Sequence, residues 1–347
     1  MSDELSGEDQ LRLNVLLSQN LRAIRLDESR MEPRALTDKG EAVMPLNPNC
    51  RSDKYLRLVR EVLSGHALGS PGGYPVYLSR WTRHGQMASD SLARLLLTGE
   101  PEAVVAVVYS PALDDDLAEA AWWAMPTIEN ARLMLRREAV AQGRMGPILA
   151  DFLVEHLPFL QDDHLAIMDT ITVLLHSGCL TQEGLASIWN RGKHCNTHYV
   201  AFLEWQRLPV TEQADDTLGL SVFCCADNAL AEKLNLAYSA AGQAFIEAAL
   251  DILARPETQE VVSRTLNAIG AFFRMSGAED TARILVERPD LAPSIEALHA
   301  LALVDESMIL SVFARSTAIG SLMRRKIGPI VAPVQTHLRG LLATQAP

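Results

Sequence analysis

The residues best placed to do chemistry in this chain lie in the run KHCNTHY, where His194, Cys195 and His198 bring two imidazoles and a thiol close together. His194 and His198 are four apart, so a helix would set both on one face, a spacing suited to a metal-ligand pair beside a thiolate. As a metal site the set is incomplete: no Cys-x-x-Cys and no second histidine pair supplies the remaining ligands, and Cys224 and Cys225 are distant contributors at best. The same side chains would serve a metal- or sulfur-handling enzyme built on Cys195. Read as plain structure, they are an inter-helix turn with a histidine at a helix end. The reading taken here is no metal, no cofactor and no catalytic residue.

A second cluster is chemical in another sense. The stretch GHALGSPGGYPVYLSRWTRHGQ, residues 65 to 86, and the helix before it interleave Arg57, Arg60, Arg80 and Arg83 with Tyr74, Tyr77 and Trp81. Guanidinium groups among aromatic rings suit base stacking and phosphate contact, which would fit an RNA-binding regulator, and they equally suit a protein partner. Arg57, Arg60, Tyr74, Tyr77, Arg80 and Arg83 are therefore the expected interaction surface. If Pro75 to His84 is a helix, Tyr77, Trp81 and His84 share one face, and Trp81 is expected to pack inward where the lead-in meets the helices that follow. Gly69, Gly72 and Gly73 lack the Lys-Ser/Thr of a phosphate loop, and no Gly-x-Ser-x-Gly elbow occurs. Asp114 to Asp116 read as an acidic helix start, and adjacent Trp122 and Trp123 as one core and one half-exposed ring.

The elements that must position these groups are mostly helical. The chain opens with a helix from about Ser6 to Ser18, capped by Ser6, with Leu11, Val15 and Leu16 as its apolar stripe. Short extended segments follow at 23 to 27, 31 to 36 and 41 to 46; Thr37 to Gly40 carry turn chemistry between the last two, which predicts a β-hairpin. A helix from Lys54 to Leu63, capped by Ser52 or Asp53, completes a small α+β lead-in over residues 1–90. From Asp90 the chain repeats one grammar of cap, acidic first turn, apolar stripe and then glycine or proline. Starts at 127, 163 and 196 are spaced like helix pairs of a solenoid. The fold class expected is mainly α: an irregular α-helical hairpin array, α-solenoid-like, in two halves, 91–209 and 220–347. Asp227 to Ala254 reads as one long helical segment. Met308 to Met323 reads as a terminal helix that caps the array, followed by a tail broken by prolines.

Composition sets the outer limits. A chain of 347 residues with 48% hydrophobic content can bury a large core. The net charge of −12 argues against a general affinity for nucleic acid or anionic membrane, and its distribution sharpens the point: residues 51 to 94 carry +4, 95 to 306 carry −18 and 307 to 347 carry +5. RNA binding through the first basic segment would need the fold to keep it apart from the acidic middle. Five cysteines at unrelated spacings form no disulfide framework, and MSDELSGEDQ has no apolar region behind it. These features predict a cytoplasmic protein without membrane insertion.

The strings LRLVREVLSGHALGSPGGYPVYLSRWTRHGQ, LLLTGEPEAVVAVV, AEAAWWAMPTIENARLMLRREAVAQGRMGP and FLVEHLPF resemble the DsrS family, accessory proteins encoded with the dissimilatory sulfite reductase system of sulfur-oxidising bacteria. The resemblance covers residues 8 to 160 and, more loosely, AEKLNLAYSAAGQAFIEAALDIL. It implies a non-catalytic protein that supports oxidation of stored sulfur by influencing production or assembly of the other sulfur-oxidation proteins, with a protein partner from that system. It carries over no catalytic residue and no cofactor.

Overall fold

The computed structural model describes residues 4–69, 89–160, 163–210, 228–277, 280–314 and 320–343. The fold is mainly helical, with one three-stranded antiparallel sheet near the N-terminus. Two compact units divide it: Met1–Glu155 with Ser177–Cys179, and His156–His176 with Leu180–Pro347. Trp81, Tyr74, Tyr77, Arg80 and Arg83 lie outside the described residues, as do Cys224 and Cys225.

The first unit opens with α1 (Gly7–Leu17), whose cap is Ser6, its side chain accepting from the Asp9 amide. Leu13, Leu16 and Leu17 are buried while Leu11 and Val15 are exposed, so the apolar face is rotated from the one expected. The buried leucines pack against Tyr55, Val59 and Leu63, and Asp9, itself fully buried, accepts from the Tyr55 hydroxyl and the Asn47 amide. Strands β1 (Leu21–Asp27), β2 (Glu32–Thr37) and β3 (Gly40–Val43) pair in sequence order, with Thr37 opposite Gly40 across a turn where Gly40 takes φ of 115°. Ile24 and Ala35 face each other in the core, while Arg34 and Arg25 share Glu41 on the other face at 3.0 and 3.3 Å. The Ile24 amide donates to the Leu96 carbonyl, so the outer edge of β1 is covered. Helix α2 (Ser52–Leu68) begins at Ser52 with no side-chain cap, so Ser52 and Asp53 sit in its first turn instead of before it, and Gly69 ends it in the left-handed conformation at φ 62°.

Short helices follow in the same unit: α3 (Ser89–Leu95), α4 (Pro101–Tyr109), α5 (Asp115–Ala124), α6 (Ile128–Leu135), α7 (Glu138–Ala141) and α8 (Met145–His156). The acidic triplet has a divided role. Asp114 caps α5 by accepting from the Leu117 amide, and Asp115 accepts from the Arg144 and Met145 amides at 3.0 and 2.9 Å, capping α8 across space. Gly143 is required there, since a Cβ would stand 2.2 Å from Asp115 Oδ1. Both tryptophans of α5 are half-buried, unlike the split expected. Trp122 meets Phe152 edge to face at 4.7 Å, and Arg25 lies 4.6 Å over Trp123, so each ring packs on a partner the local sequence does not show.

The second unit contains α9 (His164–Ser177), α10 (Gln182–Arg191), α11 (Thr197–Trp205), α12 (Ala229–Tyr238), α13 (Ala240–Ala254), α14 (Gln259–Phe273), α15 (Thr281–Glu287), α16 (Ala292–Ala302), α17 (Ser307–Phe313) and α18 (Gly320–Gly340). Neighbouring helices pack as hairpins, and the array is irregular because α13 touches α11, α12, α14 and α18. Phe245 of α13 stacks on Phe272 of α14 at 3.9 Å in the core. The segment expected to run unbroken to Ala254 breaks at Ser239, whose hydroxyl caps α13 at the Gly242 amide. Helix α18 runs through Pro329 and Pro333, where the sequence predicts a broken tail. Each proline removes one backbone bond, yet Met323, Ile327, Val331, Val334 and Leu338 form a buried stripe, and their packing against the unit outweighs that loss. That stripe belongs to the core and is not a membrane-facing surface. Among the described residues, no helix is long and apolar enough to cross a membrane.

Candidate functional site

The run KHCNTHY falls in the connection between α10 and α11. Thr181 caps α10 at the Gly184 amide, and the helix ends at Gly192, over which the Tyr199 ring lies so closely that a Cβ there would be 2.2 Å from Tyr199 Cε1. Asn196 anchors the connection: its amide donates to the carbonyls of Asp251 and Arg255 at 3.4 and 3.1 Å, at the end of α13. Thr197 meets His164 of α9 at 3.0 Å. Arg264 of α14 binds Glu204 of α11 and Asp169 of α9, at 2.5 and 3.3 Å, and holds those three helices together.

Within this frame His194, Cys195 and His198 border one pocket of about 330 Å3, together with Arg191, Leu157, Pro158 and Ile167. The structure therefore brings the three sequence-selected residues together. His198 is buried, and its Nδ1 meets the Cys195 carbonyl at 3.0 Å, so Nδ1 carries the proton and Nε2 is the nitrogen with a lone pair. Burial pushes the His198 imidazole below its ordinary value of 6.5; the bond to Cys195 opposes this, and the Arg191 charge adds to it. His198 is thus a neutral base at pH 7. The Cys195 thiol is free and half-buried, and it makes no hydrogen bond among the described residues. A pocket of this size with apolar walls, one guanidinium, one thiol and a neutral imidazole can hold a small molecule with an apolar body and an anionic end. Among the described residues, no group of three or more His, Cys, Asp or Glu side chains is arranged to hold a metal ion. The two histidines and the thiol share a pocket without forming a coordination set.

The other expected surface is described in part. Arg57 lies 4.0 Å from Glu61 on the exposed face of α2, and Arg60 is held between Glu28 at 2.5 Å and Glu100 at 3.4 Å. Arg60 is therefore engaged within the fold. Burial raises the Glu100 carboxyl above 4.5; Arg60 opposes that shift, while Glu102 and Glu28 reinforce it. The remaining members of that surface, Tyr74, Tyr77, Arg80 and Arg83, are outside the described residues.

Sequence reasoning missed Arg191, Leu157, Pro158 and Ile167 as pocket walls. Arg191 sits one helical turn before Cys195, a spacing that would have flagged it; Ile167 arrives from α9 by packing alone. Compared with protein-family models, characterised proteins and solved structures, the chain finds no match.

Proposed function

We propose that the protein is a non-catalytic cytoplasmic accessory protein that supports oxidation of stored sulfur by the dissimilatory sulfite reductase pathway, acting through a protein partner of that system. The observation that supports this reading is the set of long strings between residues 8 and 160 that resemble the DsrS family. A mainly helical fold with exposed helix faces is compatible with such a role. Affinity purification of the tagged full chain from a sulfur-oxidising host, grown with and without reduced sulfur, tests it. Recovery of sulfite reductase pathway proteins in the sulfur-grown cells is expected, and their absence under both conditions contradicts the reading.

A second reading is a sulfur-handling protein that uses Cys195, and the pocket shared by Cys195, His198 and Arg191 favours it. A Cys195 thiolate attacking the terminal sulfur of an inorganic polysulfide would form an S–S bond as the bond from that sulfur to the next one breaks, leaving a cysteine persulfide and releasing a polysulfide one atom shorter. His198 Nε2 can accept the thiol proton, and Arg191 can offset the anionic charge. Mass spectrometry after polysulfide treatment decides: one added sulfur on Cys195, lost in Cys195→Ser, supports this reading, and modification spread evenly over the free thiols removes it.

A further inference from the structure

The connection that carries Cys195 also walls a second pocket, of about 380 Å3, whose chemistry is different. Trp189 and Tyr199 contribute rings whose centroids lie 4.5 Å apart at a 55° tilt. Across from them, α13 presents Glu247 and Asp251 one turn apart, while Ala244 and Ala248, also one turn apart, are small enough to leave the space open. Tyr199 is the decisive group. The residue is 6% exposed overall and borders the pocket, and its hydroxyl, which has no hydrogen-bond partner among the described residues, is the part that keeps contact with solvent. Burial raises the Tyr199 phenol above 10.0, and the charges of Asp251 and Glu247 raise it further, so both carboxylates act on the phenol that borders the pocket.

Two carboxylates, one phenolic oxygen and an indole face make a set of acceptors around a cavity. That set complements a cation with several N–H donors and a short apolar tail. Lys193 is the cation that borders the pocket, and it is exposed, which places it at the mouth as a competitor. Arg255 approaches Asp251 only to 4.0 Å with both side chains solvent-exposed, so that pair is weak and easily displaced. We propose that this pocket binds an alkylammonium group, with Glu247, Asp251 and the Tyr199 oxygen accepting its N–H bonds and Trp189 covering its alkyl chain. The inference is independent of the sulfur-oxidation reading, since no residue of the first pocket takes part.

The test is a titration of the isotope-labelled full chain with butylammonium, and in parallel with butyrate, at constant ionic strength, following the Trp189 indole signal and the Glu247 and Asp251 amides by NMR. Saturable shifts with butylammonium and none with butyrate are expected. Glu247→Gln, at an exposed position that leaves the core untouched, should weaken the binding by about tenfold, and Asp251→Asn should weaken it as well. Lys193→Ala should tighten it by removing the competitor. Nα-acetyl-lysine methylamide separates the two sources of the group: binding as tight as butylammonium assigns the pocket to a lysine side chain, and weaker binding assigns it to a free amine. Equal shifts with butyrate, no effect of Glu247→Gln, or loss of binding in Lys193→Ala would overturn the proposal.

Discussion

At the scale of single residues, Asp115 shows how an acid becomes structural. Burial pushes its carboxyl up, but bonds from the Met145 and Arg144 amides and the Arg144 guanidinium outweigh that, and the group is held below 3.8. Its folded value is depressed, so its contribution is present above the ordinary carboxylate range and is lost as pH falls below it. Asp115→Ala should therefore cost about 1.5 to 3 kcal/mol at neutral pH, the loss of charge-assisted bonds to the start of α8. Urea melts of the variant and wild type should converge as pH falls below the ordinary carboxylate value of 3.8 and the wild-type carboxyl takes up a proton; a difference that does not shrink as the pH is lowered through that range would contradict the assignment. Cysteine reactivity is a second residue-scale test. Cys179 donates its thiol to the Ala141 carbonyl at 3.1 Å, whereas Cys195 borders a pocket with no such bond. Site-resolved alkylation should label Cys195 about tenfold faster than Cys179. Equal rates would show that the pocket does not open to reagent.

Among the elements, close packing decides what substitutions the helices tolerate. Gly270 of α14 lies against the chain beyond α16, and a Cβ there would stand 1.9 Å from the Val304 carbonyl oxygen. That neighbour is backbone and cannot swing aside. Gly270→Ala should lower stability by about 1 to 3 kcal/mol despite alanine's better helix propensity, read as a lower melting temperature; an unchanged or higher one would refute the close approach. The same contrast between local and distant causes explains what was legible beforehand. Ser6, Asp114, Thr127 and Thr181 could be recognised as caps because a cap bonds to its own chain within three residues. The strands and their turn were legible for a similar reason, since Gly40 advertises its conformation. The rotated face of α1 was not legible, because the core it packs into is made by residues far along the chain, Tyr55, Val59 and Leu63 among them. Nor was the passage of α18 through Pro329 and Pro333, which rests on burial against α13 and α16. The break at Ser239 was hidden by uniform alanine-rich composition. At the site, His194, Cys195 and His198 could be found as a run, while Glu247 and Asp251 reach Tyr199 only through the packing of α13 on α11.

For the molecule as a whole, the helical class follows from the 48% hydrophobic content and the repeated capping grammar, and each compact unit encloses its own core. The first core joins the sheet to α1 and α2 through Leu13, Ile24, Tyr55 and Leu63; the second is built on α13 and α14 around Phe245, Phe272 and Phe273. The proposed accessory role rests on the sequence strings, so the measurement that tests it most directly is made in a cell. In a sulfur-oxidising host whose copy of this gene is deleted, the rate at which stored sulfur disappears should fall, and it should return when the wild-type chain is supplied. Cys195→Ser supplied in the same way should restore it equally if the protein acts as a non-catalytic accessory. Undiminished turnover of stored sulfur in the deletion strain would contradict the account.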